Sequence, residues 1–137
     1  MALTPTVLTD VFLLVNSNNI SDHGNKIEVD LTVDDNDITA FGQSWHVRTN
    51  GLKDGVINIT LFNDFVASQL DSIMFPLFGT VVLFEIRPTS AARSTGNPAF
   101  FGNLFVNAWK PIVGQIGDTA QVDLSFPTSG AVTRAIS

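Results

Sequence analysis

Apolar and polar residues alternate with a period of two along most of this chain, the spacing of half-buried strands rather than helices. The clearest case runs from 26 to 33. Ile27, Val29, Leu31 and Val33 point one way, and Lys26, Glu28, Asp30 and Thr32 the other. Asp34-Asp35-Asn36-Asp37 is expected to break that strand. A second clean alternation covers 119–126. Ala120, Val122, Leu124 and Phe126 face inward, with Thr119, Gln121, Asp123 and Ser125 outward. Further strands are predicted over the apolar run 7–16, over 44–49 with Trp45 and Val47 on one side, and over 56–61 with Ile57, Ile59 and Leu61 buried. Asn50-Gly51 and Asp54-Gly55 read as a tight connection between the last two. Residues 80–87 are apolar on both faces, 99–109 form a strand with two different faces, and 131–136 close the chain.

One segment has helical period. Phe62, Phe65, Val66, Gln69, Leu70, Ile73 and Met74 lie on one face at 3.6-residue spacing. Asn63 or Asp64 can cap its start, and Pro76 and Gly79 end it. Between the strands, 34–43 and 88–98 are polar, rich in turn formers and long enough to reach a neighbouring molecule. At least one of them is expected to order only against another subunit. These elements make a mainly β protein, a β-sandwich or open barrel of about seven or eight strands with one flanking helix. No repeat or linker interrupts 1–137, so a single domain is expected.

Composition sharpens this picture. Charged residues are only 15% of the chain while hydrophobic residues reach 45%. Ordinary soluble domains carry about 25% charge. Part of the folded surface is therefore expected to face another subunit rather than water. With Lys plus Arg 7 and Asp plus Glu 13, the net charge is -6, which argues against gripping phosphates or docking on an anionic membrane. The apolar runs fall short of the ~20 residues of a membrane helix, so membrane insertion is not expected, and with no basic region before the first run and no small-residue cleavage site a signal peptide is not expected either. Surface scaling for a compact chain of 14.8 kDa gives roughly 7,000 Å² of exposed area.

Catalytic chemistry is scarce. There is no cysteine, and His23 and His46 lie in a turn and on a polar strand face without a nucleophile motif. No zinc pattern or phosphate-cradling loop occurs, so neither an enzyme nor a cofactor is expected. Asp34, Asp35 and Asp37 suggest calcium, but a calcium loop needs a glycine at its sixth position and an acidic residue at its twelfth, and both are missing. A turn capped by Asp side chains is the preferred reading.

Phe101, Asn103, Phe105, Asn107 and Trp109 alternate onto one strand face. Aromatics interleaved with amides suit three roles: a sugar-stacking platform, a subunit interface, or a second buried face. Sugar platforms favour Trp and Tyr. With Phe 11 and Tyr 0, burial is preferred here.

Two segments resemble the major tail tube protein family of long-tailed, non-contractile bacteriophages. The first is Asp35, then Asp37-Ile38-Thr39-Ala40-Phe41-Gly42, a strand with Trp45, and Gly51-Leu52-Lys53-Asp54-Gly55 before a strand and a helix. The second is Gly114, Gly117-Asp118, the strand to Ser125-Phe126, and Ser129-Gly130 leading into Val132-Thr133-Arg134. The resemblance spans most of the chain. It implies hexameric rings stacked into a hollow tube that guides DNA, located in the virion tail and assembled in the host cytoplasm. It also implies tape measure, tail-tip and tail-terminator proteins as partners, and DNA in transit without tight binding. A carbohydrate-binding module using the Phe101–Trp109 face, or a tube protein of a related injection machine, are the alternatives.

A DNA conduit needs a polar wall that does not hold phosphate. Under this resemblance Glu28, Asp30 and Asp123, on the polar sides of their strands, are the candidate lumen residues. Phe101, Asn103, Phe105, Asn107 and Trp109 are the candidate subunit interface.

Overall fold

The computed structural model describes residues 2–137. Eight strands form two antiparallel sheets: β1 (Phe12–Val15), β2 (Asn18–Asn19), β3 (Gly24–Asp37), β4 (Arg48–Phe62), β5 (Val81–Arg87), β6 (Ala99–Phe105), β7 (Gln121–Pro127) and β8 (Thr133–Ala135). One sheet has the order β2-β1-β5-β6-β8 and the other β3-β4-β7. They stack as a sandwich, joined at one corner where Thr128 bridges to Leu104 and the Ser129 amide donates to the Asn103 carbonyl. The mainly β reading holds.

The core follows from period two. Val82, Phe84 and Ile86 of β5 meet Ile57, Ile59 and Leu61 of β4 and Val122, Leu124 and Phe126 of β7, with Leu13 and Val15 of β1 closing one side. Phe126 is fully enclosed, so Phe126→Ala is expected to cost about 3–5 kcal/mol. Gly102 marks a close approach. A Cβ there would sit 2.7 Å from the Ala131 carbonyl, so only glycine lets the closing segment cross β6.

Several boundaries differ from the sequence expectations. The expected helix from Phe62 shrinks to α1 (Leu70–Met74), followed by a 3-10 turn at Phe75–Leu77. Phe62 belongs to β4, and Phe65 and Val66 are exposed. Ser68 at φ 66 lies outside the helical region and stops propagation toward the N-terminus. Strand 7–16 contracts to β1, because residues 2–10 run along the surface without regular pairing.

The largest departure is at 34–62. Asp34–Asp37 do not end the strand, and Asn50-Gly51 and Asp54-Gly55 make no turn. All lie within one long hairpin of 14 and 15 residues, paired from Gly24↔Leu61 to Asp37↔Arg48 with register shifts between Gly24 and Lys26 and between Val33 and Asp35. The expected strand at 44–49 therefore begins only at Arg48, and Trp45 and Val47 are exposed at the hairpin end. The 88–98 loop is likewise not loose. Asn97 is buried; its Oδ1 accepts from the Thr89 amide at 3.0 Å and its Nδ2 donates to the Ala91 carbonyl at 2.8 Å. Arg93 pairs with Glu85 and pins the loop to the sheet.

Candidate functional site

All three acidic residues singled out in the sequence share one surface. Glu28 and Asp30 of β3 and Asp123 of β7 project from the outer face of the three-stranded sheet. The register sets Glu28 opposite Asn58 and Asn58 opposite Ser125, and it sets Lys26 opposite Thr60 and Thr60 opposite Asp123. Two cross-strand hydrogen bonds fix carboxylates there. Asn58 Nδ2 donates to Glu28 Oε1 at 3.0 Å, and Thr60 Oγ1 donates to Asp123 Oδ1 at 2.6 Å. Asp54 extends the acidic row, and Lys26 is the one cation among these residues.

The opposite outer face, on the five-stranded sheet, mixes exposed apolar residues with Asn103, Glu85 and Arg93. Val81 sits across from Phe105, Leu83 from Asn103 and Glu85 from Phe101. Leu83 is 60% exposed and Phe105 39%. Arg93 covers the Phe101 ring, with its guanidinium carbon 5.1 Å from the centroid.

The structure brings Phe101, Asn103 and Phe105 together but separates Trp109 and Asn107 from them. The strand expected over 99–109 stops at Phe105, where the chain turns: the Asn107 amide donates to the Phe105 carbonyl at 2.9 Å. Asn107 is exposed beyond the sheet, while Trp109 enters the core at 9% exposure and its Nε1 donates to Asp71 Oδ1. Without Trp109 and with Phe101 under Arg93, this face offers no flat aromatic platform for a sugar ring.

The sequence reading missed the most prominent feature. Beyond Leu31 and Gly55 the long hairpin leaves the sandwich, and every residue from 31 to 50 is exposed. Its end is nevertheless ordered by polar contacts. Thr39 donates to Asp37 Oδ1 from both its amide (2.9 Å) and its hydroxyl (2.6 Å), and Thr39 Oγ1 accepts from the Val47 amide at 2.8 Å. His46 Nδ1 lies 2.9 Å from Asp37 Oδ2. These bonds, led by the Thr39 hydroxyl, hold the Asp37 carboxyl below its ordinary range. Asp35 pairs with Arg48 at 3.3 Å. Asp35 and Asp37, two of the three acidic residues weighed for calcium, thus hold separate partners.

Strand edges add a further property. β3 and β7 each pair on one side only, leaving two free edges on opposite sides of one sheet. β3 is 14 residues long, whereas the edges of the other sheet, β2 and β8, are 2 and 3 residues. A long unpaired edge is a template for another strand.

No family model matches the sequence, and no curated protein matches it. Among solved structures, the chain superposes on one described as "Virion of native gene transfer agent (GTA) particle" with a TM-score of 0.71. The match covers 92% of this chain and 95% of that one at 12% identity. The fold is shared with a chain of a virion. Among the described residues no helix is long and apolar enough to cross a membrane, and no cluster of three or more His, Cys, Asp or Glu could hold a metal.

Proposed function

We propose that this chain is a structural virion protein that assembles into stacked hexameric rings forming the tube of a phage-like tail, with the outer face of β3-β4-β7 as the wall that DNA passes. The observation that carries this reading is surface area. The chain exposes 9136 Å², about 2,100 Å² more than the roughly 7,000 Å² expected for a compact monomer of its mass. Standard interfaces take about 800 Å² from each partner. The excess is larger than the about 1,600 Å² that contacts with two neighbours would cover.

The two free edges give the geometry. β3 of one copy and β7 of the next can continue a single sheet, a head-to-tail contact that closes into a ring when the rotation permits. Such a ring keeps the Glu28–Asp30–Asp123 face on one side throughout, and an acidic wall repels the phosphates it must not hold. The virion neighbour's fold and the sequence resemblance to tail tube proteins favour the same reading, with a scaffold role in place of catalysis. Within it, tape measure, tail-tip and tail-terminator proteins are the expected partners and the virion tail the expected location.

Sedimentation velocity over a range of concentrations tests the self-assembly half of this reading, with electron micrographs of the same samples. Six-fold rings or tubes are expected. A strict monomer at every concentration would overturn it.

A further inference from the structure

The acidic face carries its carboxylates in a particular order. Across the sheet, Glu28 faces Asn58 and then Ser125, and Lys26 faces Thr60 and then Asp123. The central strand β4 thus sets an uncharged donor beside a carboxylate of each flanking strand. Asn58 Nδ2 holds Glu28 Oε1, Thr60 Oγ1 holds Asp123 Oδ1, and the Gly55 amide donates to Asp54 Oδ1 at 2.8 Å. Each of these three carboxylates has one oxygen engaged by a donor on β4, which hinders bidentate capture of a cation.

Spacing decides which of them could share a cation. Mg²⁺ and Ca²⁺ hold oxygens at about 2.0–2.6 Å, so two carboxylates on one ion must bring oxygens within about 5 Å of each other. Glu28 and Asp123 stand two strands apart, about 9.5 Å at ordinary strand spacing, and in different rows. Glu28 and Asp30 are different. They lie two residues apart on one face of β3, about 6.8 Å along the strand, and both are exposed. Side chains of that length reach a common ion between them. Asp30 lies opposite Val56, which offers no donor, whereas Glu28 is held across the sheet by Asn58.

DNA travels with an atmosphere of cations. A divalent ion chelated on a wall beside it would bridge carboxylate to phosphate and turn repulsion into attachment. We propose that Asn58 is a positioning residue of the wall: by holding Glu28 toward β4, it keeps Glu28 and Asp30 from closing together on a divalent cation, so the face stays negative without gripping DNA. The inference rests on the tube wall proposed above and names a residue that controls its chemistry. The species kept off is a hard dication with oxygen ligands.

Calcium is the probe, because it accepts flexible oxygen geometry. Titration calorimetry of the full chain compares the parent with Asn58→Leu, with Thr60→Val, and with Asn58→Leu combined with Asp30→Asn. Asn58→Leu is close in size and lacks the donor. It is expected to bind calcium about 10-fold more tightly than the parent, since two carboxylates then share the ion. Adding Asp30→Asn is expected to return the affinity to the parent's. Thr60→Val frees Asp123, whose row holds no second carboxylate, and should leave calcium affinity unchanged. A loss of packing alone would not produce this pattern. Asn58→Ala is the second variant in case leucine disturbs β4. Equal calcium affinity in the parent, Asn58→Leu and Asn58→Ala overturns the role of Asn58. In assembled tails, Asn58→Leu is expected to slow DNA ejection several-fold in Mg²⁺ and to run at the parental rate in a chelator. Tighter calcium binding with ejection indifferent to divalent cations would keep the hold of Asn58 on Glu28 and overturn the wall reading beneath it.

Discussion

The indole Nε1 of Trp109 donates to Asp71 Oδ1 at 3.2 Å, tying the segment after β6 to the short helix α1. Trp109 packs in the same core as Leu70 and Met74 of that helix. Trp109→Phe keeps most of the apolar contact and leaves Asp71 without its donor, at an expected cost of about 1 kcal/mol. Trp109→Ala also leaves a cavity and is expected to cost about 3–5 kcal/mol. Urea midpoints of the two variants measure this. A midpoint for Trp109→Ala equal to the parent's would place Trp109 outside the core.

Asn97 organises the 88–98 loop from within. Asn97→Ala removes one acceptor from the Thr89 amide and the donor to the Ala91 carbonyl, both at a buried position. A cost of about 1–3 kcal/mol is expected, with protease sensitivity appearing between residues 90 and 96 while the rest of the fold persists. Limited proteolysis followed by mass spectrometry reads the cut sites. Unchanged resistance would contradict the role given to Asn97.

The sandwich was legible where burial is one-sided. At 26–33 and 119–126 the alternation between core and water is set by side-chain chemistry alone, so strand, face and the shared position of Glu28, Asp30 and Asp123 could all be read. The hairpin end could not. Asp34–Asp37, Asn50-Gly51 and Asp54-Gly55 have turn-forming composition, yet cross-strand pairing over the full length of β3 and β4 overrides it. Trp109 failed for a related reason: period two carries a residue's face forward only while the strand continues, and β6 ends at Phe105. The helix was over-read because Phe62, Phe65 and Val66 fall on a helical face by spacing, although β4 claims Phe62 and the backbone at Ser68 is left-handed. Ile38, Phe41, Trp45 and Val47, scattered through an otherwise polar stretch, were the signal for the projecting arm; low charge content pointed to association without locating it.

The hairpin end should respond to acid. Thr39 and His46 stabilise the ionised Asp37, so its folded pKa lies below the unfolded value. Its contribution is therefore complete above the ordinary aspartate range near ~3.9 and is lost as pH falls through the lowered folded value. Amide exchange at Thr39 and Val47 is expected to quicken across that acidic window in the parent. In Asp37→Asn it should already be fast at neutral pH and lack this transition. Equal protection in both proteins at neutral pH would show that Asp37 does not order the turn.

Reversing the acidic face separates transport from assembly. A variant with Glu28→Lys, Asp30→Lys and Asp123→Lys replaces carboxylates that lie on the solvent side of their strands, so tube formation should be largely kept. DNA passage should slow, most at low salt, because screening acts over about 8 Å at physiological ionic strength and over longer distances below it. Ejection kinetics measured at two salt concentrations test this. An unchanged rate at low salt would remove these residues from the DNA path.

A three-dimensional reconstruction of the assembled protein by cryo-electron microscopy tests the central claim most directly. The expected result is a hollow tube of hexameric rings in which β3 of each copy abuts β7 of the next and Glu28, Asp30 and Asp123 face the bore. A bore lined by Val81, Leu83 and Phe105, or rings in which those carboxylates lie on the outside, would contradict it.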